Sequence, residues 1–168
     1  MTSESMITDE ARALIGQESE AVLGEVTLQD IQRYALTIGD DNPLYFDEEY
    51  AKSTPYGGII APPNYLTAVI SWGNGVPEAE LTADGLGRRR DGEYAFPIKA
   101  QRRMAGGQEL EFHQPVRPGD LITRKSRTTG MEQREGKSGP FVLVYSEQRF
   151  FNQRDELLVT CRQTTIMR

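Results

Sequence analysis

The side chains able to do chemistry are few in this sequence of 168 residues, and the most suggestive of them sit close together. In Gly39-Asp-Asp-Asn-Pro-Leu-Tyr45 a carboxylate, Asp40, stands five residues before a phenol, Tyr45, with the amide of Asn42 between them. Asp40 could act as an acid or a base, although Gly-Asp after a helix is also an ordinary turn. Asn42 before Pro43 suits an amide that bonds back to its own turn, and it could also touch a ligand. Tyr45 can line a tunnel or simply pack; with an ordinary pKa of about 10 it is a poor base at neutral pH. The single histidine, His113, excludes any site that needs two imidazoles, and its strand-like Glu-Phe-His-Gln setting reads as structural. The single cysteine, Cys161, excludes an internal disulfide or a thiolate cluster and reads as a small core residue. No metal site is expected. Arg88-Arg89-Arg90 could meet phosphates or stand solvated, and Trp72 reads as core or interface.

Composition narrows the function classes. The formal net charge is −6, an acidic balance that argues against a nucleic-acid partner. Hydrophobic residues make up 38% and charged residues 26%, a mixture that can close a core. No stretch approaches the ~18 apolar residues of a membrane span, and the opening MTSESMITDEARALIG lacks the basic and apolar regions of a secretory signal. The expectation is a cytoplasmic protein forming one domain over residues 1–168.

The elements that must hold the candidate residues can be read from spacing. Met6 to Gly16 reads as a short helix and Glu20 to Val26 as a strand or arm. Thr27 is a good N-cap, with Asp30 as its acidic partner, for a helix whose apolar face is Leu28, Ile31, Ala35 and Ile38. Gly39 ends that helix where a left-handed residue is expected. A short helix follows from Asp47 to Lys52. Gly57-Gly58 lets the chain turn tightly, and Pro63 suits the start of a buried helix running to about Trp72. Gly73 to Gly92 is a polar loop. Strands are expected at Tyr94 to Met104 and Gln108 to His113 around a Gly106-Gly107 turn. Others are expected at Leu121 to Thr129 after the Pro118-Gly119 turn, and in a C-terminal hairpin of Phe141 to Phe151 and Leu157 to Ile166. Helices first and an antiparallel sheet second make an α+β fold with one helix wrapped by strands.

Three separated motifs carry a resemblance. Tyr34-Ala-Leu-Thr-Ile-Gly-Asp-Asp-Asn-Pro-Leu-Tyr-Phe-Asp47, Tyr56-Gly-Gly-Ile-Ile-Ala-Pro-Pro63 and Gly107-Gln-Glu-Leu-Glu-Phe-His-Gln-Pro-Val-Arg-Pro-Gly-Asp120 occur in this order. Together they resemble the MaoC-like (R)-specific enoyl hydratases and dehydratases, and more closely their FAS1-like N-terminal dehydratase (HadA-type) subfamily. The resemblance implies a hot dog fold, in which a long central helix is wrapped by a curved antiparallel sheet. It implies a hydro-lyase that interconverts 3-hydroxyacyl and trans-2-enoyl thioesters of coenzyme A or acyl carrier protein in fatty acid metabolism, with no metal or redox cofactor. It assigns catalysis to an Asp/His pair and an oxyanion donor to a glycine amide at the central helix.

Against that pattern Asp40 and Asn42 match, but Tyr45 stands in the histidine position and Pro62-Pro63 replaces the His-Gly pair at the helix entrance. Proline has no N–H to donate. Asp40 is therefore a catalytic candidate of vestigial character, and Asn42, Tyr45, Gly58, Pro62 and Pro63 are candidates for binding substrate. The implied role is a subunit that shapes an acyl cleft for a catalytic hot-dog partner and is inactive alone. The alternatives are a homo-oligomer, such as a homodimer, that uses Asp40 as base and Tyr45 as donor, and a thioester-binding module without turnover.

Overall fold

A computed structural model describes residues 5–71, 77–81, 83, 97–100 and 102–168. Trp72, Arg88-Arg89-Arg90 and Tyr94 to Phe96 lie outside these residues, as does most of the expected polar loop. The chain opens with α1 (Asp9–Ala13), shorter than the expected Met6 to Gly16 helix, whose N-cap Thr8 accepts the Ala11 N–H. β1 (Glu18–Glu25) follows, then α2 (Leu28–Ile38). Thr27 caps α2 by accepting the Asp30 N–H, and its hydroxyl donates to the Asp30 carboxylate at 2.7 Å. Gly39 closes α2 in the left-handed region, with φ 71°. Asp47 caps α3 (Glu48–Ser53). The segment entered through Pro62-Pro63 winds as a short π-helix at Leu66–Ile70, and its continuation beyond Ser71 lies outside the described residues.

The remaining elements are β2 (Arg103–Phe112), β3 (Leu121–Gly136), β4 (Gly139–Phe151) and β5 (Leu157–Met167). They join β1 in one antiparallel sheet of order β1-β3-β4-β5-β2. The Pro118-Gly119 turn is present: Gly119 has φ 86° and the Asp120 N–H donates to the Arg117 carbonyl at 3.2 Å.

One expectation is corrected. Gly106-Gly107 is not a turn between two strands but a bulge inside the single strand β2, where the register against β5 shifts between Ala105 and Gly107. The physical reason is contact with the neighbouring strand. A Cβ on Gly106 would stand 3.0 Å from the Thr164 carbonyl oxygen and 3.1 Å from the Ile166 side chain, and glycine is the residue that permits such an approach.

The core sits between the helical segments and one face of the sheet. Val26, Ile31, Ala35, Tyr45, Tyr65, Leu66, Ile122, Phe150, Leu158, Val159 and Cys161 form the larger cluster. Ile7, Ala11, Ile98, Val142 and Val144 form a second one. Burial of these side chains, at about 25 cal/mol per Å² of apolar surface, is what holds the helices against the sheet.

Candidate functional site

The left-handed exit from α2 aims the chain back under its own helix. The Asp40 N–H donates to the Ala35 carbonyl at 2.9 Å, and its carboxylate accepts the Asn42 N–H at 3.2 Å. Asn42 in turn accepts the Leu44 N–H at 3.0 Å and caps the single turn Pro43–Tyr45. Its amide oxygen is thus committed to the backbone. This chain of local bonds drives the Tyr45 ring inward, where it is 5% exposed and meets Phe46 edge-on at 6.4 Å.

The Tyr45 phenol is held in its protonated form. Burial pushes its pKa up, and the negative charge of Asp40, a hydrogen bond to that carboxylate and the Tyr56 phenol add to the rise. A buried phenol beside a carboxylate resists becoming phenolate more strongly than a free one. The position that the resemblance gives to an imidazole base is therefore filled by a group that can donate a proton bond but cannot accept a proton at neutral pH.

The helix entrance lies next to this loop, because the Ile60 N–H reaches the Leu44 carbonyl at 3.5 Å. Here Pro62 is buried and Pro63 exposed, and neither has an N–H. Of the amides beside them, Ala61 N–H donates to Val116 O at 2.8 Å and Tyr65 N–H to Pro62 O at 3.0 Å. The two prolines themselves cannot supply the oxyanion donor that the resemblance places here, the kind of loss that typically lowers rates by ~10²–10³. Just inside the entrance, Gln108 Nε2 donates to Asn64 Oδ1 at 3.2 Å.

The structure thus brings Asp40, Asn42 and Tyr45 into one cluster, with Pro62 packed nearby. Gly58 lies apart, in a shallow surface cleft of about 280 Å³ shared with Leu28, Glu48, Ile59, Arg117 and Pro118. The Arg117 guanidinium there donates to the Tyr56 carbonyl, while its backbone N–H donates to the buried Asp120 carboxylate at 2.8 Å. His113, just past the end of β2, is paired with the Thr160 hydroxyl of β5 at 3.0 Å, a structural contact. Cys161 is buried, and burial pushes its thiol pKa up. Among the described residues no group of three His, Cys, Asp or Glu could hold a metal ion, and no helix is long and apolar enough to cross a membrane.

Sequence reasoning gave no role to Asn64, Gln108 or Arg117. Gln108 and Arg117 lie inside a quoted motif, but only the sheet register and the turn bring them to the helix entrance and the Gly58 cleft.

Residues 13–161 match the FAS1-like dehydratase domain region. The chain belongs to this family. The antiparallel sheet and its few helices form the MaoC-like hot dog fold, which solved MaoC-like dehydratases share. A probable enoyl-CoA hydratase alpha subunit of Thermomonospora curvata is 26% identical over 143 residues, 82% of this chain and 43% of the relative. A UPF0336 protein of Streptomyces avermitilis is 32% identical over 101 residues, 59% of this chain. The matched region spans 57% of that relative's own length. The ChsH1-ChsH2 complex from Mycobacterium tuberculosis superposes with a TM-score of 0.72 at 19% identity, covering 94% of each chain.

Proposed function

We propose that this chain is the non-catalytic hot-dog subunit of an (R)-3-hydroxyacyl thioester dehydratase, or trans-2-enoyl-CoA hydratase. It forms the wall of the acyl cleft, and a companion subunit supplies the Asp/His pair. The observation that carries this reading is Tyr45, a buried phenol facing Asp40 in the place of the base. The chemistry must move a weakly acidic α-proton and stabilise an enolate-like oxygen. This chain keeps the loop that would position such groups, with a phenol in the place of the base and two prolines at the helix entrance.

Two further features support a partner. Among the described residues β2 is a sheet edge, on which Met104 is 43% and Phe112 54% exposed. An unpaired edge carrying exposed apolar side chains is a template for a strand from a second chain. The relative named as an alpha subunit and the two-component complex among the structural neighbours point the same way. In this reading the substrate is a thioester of coenzyme A or acyl carrier protein, no metal or redox cofactor takes part, and the chain works as one domain in the cytoplasm.

The test is reconstitution. The pure chain should hydrate a short trans-2-enoyl-CoA no faster than background, and mixing it with a companion hot-dog subunit carrying the intact Asp/His motif should raise turnover above that of the companion alone. Robust activity of the isolated chain that Asp40→Asn abolishes would instead establish the self-sufficient enzyme.

A further inference from the structure

The sheet face that packs on the helices is not apolar throughout. Ile122, Phe150 and Val159 belong to one apolar cluster on it, and Val142 and Val144 to the other. Between them the register places Ser19 of β1 opposite Ser126 of β3, Ser126 opposite Gln148 of β4, and Ser146 of β4 opposite Gln163 of β5. The Ser19 and Ser126 hydroxyls are 3.1 Å apart, and Gln148 Nε2 reaches Gln163 Oε1 at 3.5 Å. Arg124 stands beside this polar belt, opposite Ala21 and the fully buried Phe150.

Arg124 differs from the basic residues of the opposite sheet face. There Lys125 meets Glu20 at 3.7 Å, Arg127 meets Glu147 at 2.8 Å, Arg162 meets Glu111 at 3.2 Å, and Arg149 meets Glu18. The Arg124 side chain is partly buried, its Nε is fully buried without a hydrogen-bond partner, and no carboxylate pairs with it among the described residues. A guanidinium cannot discharge itself by losing a proton. A half-buried one without a counter-ion is therefore poised for an anion, and its planar fork matches a carboxylate.

We infer that the acyl group received by this chain ends in a carboxylate, which Arg124 binds with the Ser126 hydroxyl beside it. The inference rests on the acyl-cleft reading above and adds the substrate class. The phosphates of coenzyme A offer similar anionic chemistry. Arg124, however, lies on the helix-packed face against Phe150, a setting suited to the end of an acyl chain and not to a bulky, hydrated nucleotide.

The experiment is calorimetric titration of the full chain with glutaconyl-CoA, trans-2-pentenoyl-CoA and coenzyme A alone. Glutaconyl-CoA should bind more tightly than the pentenoyl thioester by about tenfold or more, the order supplied by a charge-assisted hydrogen bond. Arg124→Met should erase that preference without changing affinity for the pentenoyl thioester, and Arg124→Lys should keep part of it. Without ligand, Arg124→Met should melt no lower than the parent, because it removes an uncompensated charge. Equal affinity for both thioesters would overturn this inference and leave the acyl-binding reading standing; no binding of either would overturn both. A loss in Arg124→Met that appears equally with coenzyme A alone would assign the arginine to phosphate. Weakened assembly with a companion subunit at unchanged ligand preference would assign it to the interface.

Discussion

The Tyr45 phenol faces the Asp40 carboxylate inside the loop that leaves α2. The negative charge of Asp40 adds to the rise that burial gives the phenol's pKa, so the group in this position stays protonated and is a poor base at neutral pH. Tyr45→His alone should leave hydration of a short enoyl-CoA close to background, because Pro62-Pro63 still offers no oxyanion donor. Combining it with Pro62→His and Pro63→Gly should produce turnover above either partial variant, measured by loss of enoyl absorbance. The two repairs should act together, since a base and an oxyanion donor serve one transition state.

Alkaline stability reports the same burial. The pKa values of Tyr34 and Tyr45 are raised, and that of Tyr65 is pushed up to about 12 chiefly by burial. Once pH passes the ordinary tyrosine value of about 10, the unfolded chain loses these protons while the folded chain keeps them, so stability must fall as pH rises. The denaturation midpoint should hold through neutral and mildly alkaline pH and drop above about 10. Tyr65→Phe, compared with its own midpoint at neutral pH, should lose less over that range.

Gly106 makes a prediction about backbone approach. An added Cβ would meet the Thr164 carbonyl oxygen at 3.0 Å and the Thr164 and Ile166 side chains at 3.1 Å. Backbone cannot rotate away as a flexible side chain does, so Gly106→Ala should destabilise the fold by about 1–3 kcal/mol. Amide exchange should show the loosening concentrated along β2 and β5. An unchanged exchange pattern would mean that the bulge is free to relax.

These sites also mark where the sequence was legible. Helix ends were, because the Thr27 cap, the Gly39 stop and the Asp47 cap are bonds between near neighbours, and residue type alone decides them. The burial of Tyr45 was not legible, because residue type places a phenol at that position but only the packed loop turns it into the core. Gly106-Gly107 was misread because a glycine pair looks the same in a turn and in a bulge, and only Thr164 on the neighbouring strand decides between them. The isolation of Arg124 was hidden altogether, since lacking a counter-ion is a property of the assembled sheet.

The exposed edge gives the last prediction. Phe112 stands at one end of β2 and Met104 near the other, both exposed, while among the described residues the backbone between them pairs on one side only, with β5. If a companion subunit adds its own strand there, a charge at either apolar position must be desolvated on association, and a buried unpaired charge costs several kcal/mol. Phe112→Asp and Met104→Asp should therefore fold with the parent's melting temperature yet fail to co-elute with the companion on size exclusion, with turnover of the mixture falling in step. Val22→Asp, at the 67% exposed position on the opposite edge strand β1, should leave both readouts unchanged. Loss of assembly through Val22 and not through Phe112 would move the partner to the β1 edge.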